Sequence, residues 1–151
     1  MSWSQRLAEL GIELPAVAAP VAAYVPAVRS GAHVYTSGQL PFVGGELAVT
    51  GKVGAEVSPE EAKRHARTCV LNALAAVDAL AGLDAVTRVV KLVGFVASAE
   101  GFTGQPAVIN GASELLAEIF GEAGAHARSA VGVAELPLGA PVEIELIVEV
   151  E

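Results

Sequence analysis

The stretch Ala125–Val133, AHARSAVGV, has the pattern of a β-strand with one charged residue at its centre. In an extended chain Arg128 shares a face with Ala130 and Gly132, so its guanidinium lies among very small side chains. Such an arginine either reaches water along a thin surface or points into a space that larger side chains would have filled. The second case is a pocket, and Arg128 is therefore a candidate binding residue.

A second strand ends the chain, PVEIELIVEVE at residues 141–151, in which a face of glutamates and Ile147 alternates with an apolar face. One solvated face and one buried face are typical of an antiparallel sheet. Because a short turn at residues 138–140 precedes this strand, we predict a hairpin that brings Glu143 close to Arg128. The carboxylate can then orient the guanidinium or hold a water molecule, and a structural salt bridge explains the pair equally well.

The start of the longest helix is the clearest local signal in the sequence. Ser58 supplies a capping hydroxyl, Pro59 takes the first helical position and Glu61 supplies a reciprocal carboxylate. Apolar residues then recur at helical spacing until Gly82 ends the helix. Cys69 falls on the buried side of this helix, so we interpret it as a small core residue and not as a reactive thiol.

The whole pattern predicts an α+β fold with one sheet and two helices on one of its faces. In chain order the predicted elements are a short helix ending at Gly11, strands in 23–31 and 33–42, a short strand in 42–57, a helix from Ser58 to Gly82, a strand in 84–98, a helix in 105–121 and the two final strands. We assign residues 1–151 to a single domain, with an N-terminal helical extension at about residues 1–20.

The sheet face without helices needs a partner of its own. The segment VVKLVGFV at residues 89–96 is apolar in both directions. We expect one face to carry Val90, Leu92 and Val96 and the other to carry Val89, Val93 and Phe95. Since no second domain covers the second face, another copy of the chain is the simplest partner, and a closed homo-oligomer follows.

Composition agrees with an oligomer and opposes several function classes. The chain has 53% hydrophobic and 17% charged residues, which is apolar for a soluble monomer. Its net charge of −8 has the wrong sign for nucleic acid, so we expect no nucleic-acid partner. The longest uncharged run, residues 14–28, is too short to span a bilayer and contains three prolines. We therefore expect a cytoplasmic protein without a membrane partner.

Metal and general catalytic motifs are missing from the sequence. A single cysteine excludes an internal disulfide, and three scattered histidines have no ligand spacing, so we expect no metal site. No P-loop, GxGxxG, HExxH, GxSxG or CxxC pattern occurs. Taken singly, Tyr24, Ser37 and Asn110 are an ordinary interfacial aromatic, strand-end hydroxyl and helix-start amide. Their interest comes from the pattern in which they appear together.

That pattern resembles the Rid family, the reactive intermediate deaminases also called YjgF-like proteins. The resemblance is carried by AYVPAV at 23–28, YTSGQLP at 35–41, VIN at 108–110, HARSAVGVAELP at 126–137 and VEIELIVEV at 142–150. It implies a chorismate-mutase-like fold, in which three subunits assemble around a central β-barrel with helices outside. It also implies that the sites lie in the clefts between subunits of this homotrimer.

The resemblance implies an enzyme that hydrolyses small reactive 2-imino or enamine acids, of the 2-aminoacrylate type, to 2-keto acids and ammonia. Arg128 matches the arginine that clamps the substrate carboxylate, and Glu143 matches the residue that positions or deprotonates the attacking water. Neither a metal nor an organic cofactor is expected, because an imine already reacts with water and mainly needs orientation. The remaining substrate-binding positions are Tyr24, Ser37, Gly38, Asn110 and Ala130.

Two departures from the family pattern leave alternatives open. Ala130 stands where many deaminating members carry a cysteine, and His126-Ala127 precedes the arginine where Pro-Ala is usual. The chain therefore looks like a divergent subgroup. A trimeric protein that binds a carboxylate metabolite without turnover is the main alternative. The family's older endoribonuclease label is less favoured, because of the −8 charge and the lack of paired histidines.

Overall fold

The computed structural model describes residues 1–20 and 22–151. The predicted α+β class is confirmed: one five-stranded mixed sheet carries two long helices on a single face. The elements in chain order are α1 (Trp3–Glu9), β1 (Ala27–Ser30), β2 (His33–Thr36), β3 (Phe42–Val43), β4 (Glu46–Leu47), α2 (Pro59–Ala81), β5 (Val86–Ala97), α3 (Gln105–Phe120), β6 (Ala127–Val133) and β7 (Val142–Val150). Short 3-10 turns at Leu83–Ala85, Gly121–Gly124 and Pro137–Gly139 join some of them.

The strand order of the main sheet is β1-β2-β7-β5-β6, and only β5 and β6 run parallel. The predicted hairpin between the last two strands is therefore wrong. Leu92 of β5, which lies between β7 and β6, pairs with Arg128 on one side and with Leu146 on the other. The connection from β6 to β7, residues 134–141, is long enough to pass over one strand, so it imposes no tight hairpin.

The core lies between the sheet and the two long helices. On the sheet side it is built by Leu92, Val96, Ile144, Leu146 and Val148, and on the helix side by Ala66, Val70, Ala73, Leu115, Leu116 and Ile119, all of them at most 1% exposed. The helices approach closely at Gly111, where a Cβ would come within 3.0 Å of the backbone carbonyl carbon of Lys63. This packing fixes α3, which positions part of the candidate site.

A register shift corrects the predicted faces of β5. The pairing of β5 with β7 is irregular between Val89 and Lys91, as in a β-bulge. Val89 is consequently fully buried on the helix side with Leu92 and Val96, whereas Val90 is only partly buried. The extra residue breaks the strict alternation from which the faces were predicted. Val93 and Phe95 lie on the other face, as expected.

The helix boundaries were well predicted. Ser58 Oγ accepts a hydrogen bond from the backbone N–H of Glu61 at 3.1 Å, and Gly82 follows the last residue of α2 with a positive φ of 81°. Within the predicted N-terminal extension, residues Trp3–Glu9 form the helix α1, and residues 12–20 are not helical. Trp3 packs edge-on against Phe120 and donates from Nε1 to the carbonyl of Val86 at 2.7 Å. The extension is thus part of the packed structure at the start of β5.

The sheet face opposite the helices remains open in the single chain. Large apolar side chains on it are substantially exposed: Val28 by 51%, Val131 by 43% and Tyr35 by 42%. This agrees with the expectation that the second face needs a partner. Among the described residues, no helix is long and apolar enough to cross a membrane.

Candidate functional site

The structure divides the predicted site residues into two groups. Tyr24, Ser37, Gly38 and Glu143 line one pocket, which we call the Glu143 pocket. Asn110, Arg128 and Ala130 lie where α3 packs on the edge strand β6, and with Ser113 and His126 they form what we call the Arg128 cluster.

The two groups face different sides of the sheet. Arg128 contacts α3 on the helix side, whereas Glu143 alternates with the buried residues of β7 and therefore faces the open side. The register places them two strands and three residues apart, roughly 14 Å from strand geometry. The predicted contact between Arg128 and Glu143 within one chain is therefore wrong, because β5 separates β6 from β7.

The Glu143 pocket has a volume of about 430 Å³. It is a concave space of the size that binds small molecules, and most of its wall is apolar. The wall is made by Ala18, Ala19, Pro20, Ala22, Tyr24, Pro26, Ser37, Gly38, Gln39, Leu40, Phe42, Pro137 and Glu143. Glu143 is thus the one charged residue in a mainly apolar lining.

Gly38 lets the Glu143 side chain lie directly against the backbone. A Cβ at position 38 would lie 2.8 Å from Cδ of Glu143, closer than real Cβ atoms approach. The loop that carries Gly38 is held beside β7 by two backbone hydrogen bonds between Gln39 and Ile144, at 2.7 and 3.0 Å. Any larger residue at position 38 would displace the carboxylate from its present place.

Ser37 links two segments of the pocket wall by hydrogen bonds. Its Oγ donates to the carbonyl of Val25 at 2.6 Å, and its backbone N–H donates to the carbonyl of Pro26 at 2.8 Å. Both bonds hold the segment that carries Tyr24 against the end of β2. The single hydroxyl proton of Ser37 is used in this contact, so towards a ligand Ser37 can act only as an acceptor through Oγ.

The environment of Glu143 makes its carboxyl more basic than an ordinary one. Half-burial raises the pKa of Glu143, and the negative charge of Glu145 raises it further. A carboxyl with a raised pKa is better suited to exchange protons near neutral pH. Cys69, on the core side of α2, is fully buried, and its pKa is raised chiefly by burial and also by the negative charge of Glu143. Cys69 is therefore a core thiol, as the sequence indicated.

In the Arg128 cluster, α3 supplies three acceptors to the guanidinium. Nη1 donates to Oδ1 of Asn110 at 2.7 Å and to Oγ of Ser113 at 3.2 Å, and Nη2 donates to the carbonyl of Pro106 at 3.3 Å. These bonds use three of the five N–H groups of an arginine, so two remain for a ligand. The guanidinium is thus oriented and keeps donors for a carboxylate.

The small residues beside Arg128 have a different role from the predicted one. A Cβ at Gly132 would lie 2.7 Å from Nε2 of Gln105, the first residue of α3, and 3.0 Å from Oγ of Ser98. Ala130 packs against the core. The small side chains therefore make room for the start of α3, not for an empty pocket. The assignment of Ala130 as a substrate-binding residue stays a prediction.

Two residues of the cluster were not predicted as site residues. Ser113 Oγ lies 2.9 Å from Nε2 of His126, and Nδ1 of His126 lies 2.6 Å from the carbonyl oxygen of Gly124. His126 was noticed only as a departure from the family pattern. Ser113 follows Asn110 by three residues, a spacing that places both on one helix face and offers a signal. Within the described residues, no group of three or more His, Cys, Asp or Glu is placed to hold a metal.

Comparison with known proteins agrees with the fold. Residues 4–150 match the family model described as "YjgF/chorismate_mutase-like, putative endoribonuclease". The chain belongs to the YjgF-like, or Rid, family. Protein TCP17 of Trypanosoma cruzi is 50% identical over 147 residues, which cover 95% of this chain and 91% of that protein.

Two solved structures superpose on nearly the whole chain. The crystal structure of Atu1372 from Agrobacterium tumefaciens, described as a protein of unknown function, is 50% identical, with a TM-score of 0.90 over 99% of this chain and 92% of that chain. TdcF of E. coli, crystallised with bound serine, is 26% identical, with a TM-score of 0.67 over 92% of this chain and 96% of that chain.

Proposed function

We propose that the protein hydrolyses small 2-imino acids to 2-keto acids and ammonia, at sites that two subunits of a homotrimer form together. The observation that carries this proposal is the division of the site. An oriented arginine with two unused donors lies on an edge strand, and a basic carboxylate lies in a pocket on the open face. One region supplies the arginine and the other supplies the carboxylate, so contact between two copies would bring both groups into one site.

Assembly of this kind is supported by the surface of the single chain. The open sheet face exposes Val28, Tyr35 and Val131, which favours burial against another copy. Strand β6, which carries Arg128, lies at the edge of the sheet and can approach a neighbouring subunit directly. A closed ring of identical contacts repeats the same composite site at every subunit boundary.

In the completed site Arg128 binds the carboxylate of the substrate through its two remaining donors. A planar guanidinium can fix a carboxylate by two parallel hydrogen bonds, which sets the direction of the imine carbon. The amino acid bound to TdcF carries the same carboxylate next to a nitrogen-bearing carbon. This likeness supports a ligand of the amino-acid or imino-acid class.

Glu143 then acts on the water and on the leaving nitrogen. It takes a proton from a water molecule as the oxygen adds to the imine carbon, and it returns the proton to the nitrogen. The product of this addition is a carbinolamine. Glu143 then moves the proton of its new hydroxyl to the amino nitrogen, the C–N bond breaks as the C=O bond forms, and ammonia leaves, so one imine and one water give one keto acid and one ammonia. The raised pKa of Glu143 suits both steps, since the same group must accept and donate the proton.

The test is the release of keto acid from imines that an amino-acid oxidase generates in situ. The wild-type chain should accelerate release, and Arg128→Ala should abolish the acceleration. Arg128→Lys is the matched control, because it keeps the charge and loses the planar fork; we expect it to retain a small part of the activity. Full activity of Arg128→Ala would contradict the proposal.

Two other outcomes of this test lead to different functions. Binding of a carboxylate ligand without turnover of any imine would make the protein a metabolite-binding member of the family. Cleavage of RNA by the purified chain would support the endoribonuclease description, which the charge of −8 opposes.

A further inference from the structure

The orientation of Arg128 depends on a hydrogen-bonded chain that begins outside the site. His126 lies between Gly124 and Ser113, with Nδ1 at 2.6 Å from the carbonyl oxygen of Gly124. A carbonyl only accepts, so Nδ1 carries the proton of the neutral ring and Nε2 is left as an acceptor. The hydroxyl of Ser113 therefore donates to Nε2, across 2.9 Å.

The direction of the bond between Ser113 and His126 determines which part of the Ser113 hydroxyl faces Arg128. A serine hydroxyl has one proton and two lone pairs. Because His126 takes the proton, the lone pairs of Oγ are left for Nη1 of Arg128, 3.2 Å away. Without His126 the hydroxyl could rotate and turn its proton towards the guanidinium, which would remove the contact.

The start of this chain is fixed by close packing. Gly124 is buried, and a Cβ there would lie 2.9 Å from the backbone carbonyl carbon of Leu116. The 3-10 turn Gly121–Gly124 therefore sits tightly on α3, and its carbonyl has a fixed position beside the imidazole. The chain of hydrogen bonds through His126 and Ser113 to Arg128 therefore starts at a tightly packed part of the fold.

We propose that Ser113 and His126 are positioning residues, which hold the guanidinium of Arg128 so that its two remaining donors face the carboxylate of the substrate. The inference rests on the proposed function in one respect, that Arg128 is the carboxylate ligand. Holding a long, flexible side chain in its bound conformation before the ligand arrives lowers the entropy lost on binding. Ser113 and His126 thus affect binding and leave the proton transfers at Glu143 unchanged.

The experiment measures pyruvate binding by calorimetry alongside imine turnover. In Ser113→Ala we expect the pyruvate affinity to fall about fivefold, the usual net effect of one hydrogen bond. KM should rise by a similar factor with kcat unchanged. Ser113→Thr keeps the hydroxyl and should bind within about twofold of the wild type. Ser30→Ala, at the exposed end of β1, is the matched serine control and should bind like the wild type.

A double variant tests whether His126 acts through Ser113. His126→Phe keeps a ring of similar shape and removes both nitrogens. If His126 works only by orienting the hydroxyl, then Ser113→Ala with His126→Phe should bind pyruvate no more weakly than Ser113→Ala alone. If His126→Phe fails to fold, as judged by circular dichroism, the Ser113→Ala and Ser113→Thr pair still decides the role of Ser113, and His126→Gln replaces His126→Phe in the double variant.

Three results would overturn the inference. They are wild-type affinity in Ser113→Ala, a fall in kcat without a rise in KM, and losses that add in the double variant. Failure of the proposed function looks different, because Arg128→Ala would then bind pyruvate as well as the wild-type chain does.

Discussion

The Arg128 cluster and the Glu143 pocket surround their charged groups in opposite ways. The cluster is polar, and its guanidinium donates hydrogen bonds to three acceptors of α3, on Asn110, Ser113 and Pro106. The pocket is mostly apolar, and burial makes its one charge harder to form. The first arrangement suits recognition of a charged ligand, and the second suits proton transfer. In the proposed function, recognition and chemistry therefore lie in separate parts of one chain, and contact between two subunits brings them into one site.

Removing the carboxylate of Glu143, the proposed base, should lower kcat more than the other changes in the pocket. Glu143→Gln keeps the shape of the side chain and loses the proton acceptor. We expect kcat to fall about 10²- to 10⁴-fold, the usual contribution of general acid–base catalysis. Pyruvate affinity, which depends on Arg128, should change by less than about threefold. A Glu143→Gln variant with normal kcat would show that the pocket does not perform the chemistry.

Displacing the carboxylate of Glu143 should lower kcat less than removing it. In Gly38→Ala the new Cβ displaces the carboxylate of Glu143, and we expect kcat to fall roughly tenfold to a hundredfold. Folding stability should change little, since the contacted atoms are the end of a flexible side chain. Gly111→Ala is the control, because its Cβ meets the backbone of Lys63 and should cost about 1–3 kcal/mol of stability. Equal kcat in Gly38→Ala and wild type would contradict the role of Gly38.

The smallest effect is on the pH dependence of stability. Because the pKa of Glu143 is raised in the folded chain, the fold binds this proton more tightly than the unfolded chain does. The stabilisation is full below the ordinary value of 4.5 and is lost as the pH rises through the raised pKa. Relative to wild type, Glu143→Gln should therefore gain stability over this range as the pH increases. Urea unfolding of both chains between pH 4 and pH 8 measures the difference; parallel curves would contradict it.

Local signals in the sequence predicted the helices and most strands. Ser58, Pro59 and Gly82 act on neighbouring backbone groups, so the bounds of α2 follow from the residues themselves. Strand pairing could not be predicted in this way. The apolar β5 competes with β7 as a partner of β6, and the choice depends on packing of the whole sheet. The bulge near Val90 likewise depends on the register with β7.

Most residues of the Arg128 cluster and of the Glu143 pocket were named from the sequence, but their separation into two groups was not. Arg128 stands out by its pattern, whereas Tyr24, Ser37, Gly38 and Asn110 came from the family resemblance. That Arg128 and Glu143 face different sides of the sheet follows only from the strand order. Ser113 and His126 were not predicted as site residues because their contact joins the second half of α3 to the residue before β6.

Complementation between two inactive variants tests the shared site most directly. Arg128→Ala keeps Glu143, and Glu143→Gln keeps Arg128. Refolding an equal mixture should restore on the order of a quarter of the wild-type imine hydrolysis, since one boundary in four then joins an intact Arg128 to an intact Glu143. Arg128→Ala mixed with the Arg128→Ala and Glu143→Gln double variant is the control and should stay inactive. An equally inactive mixture of the two single variants would contradict a site formed by two subunits.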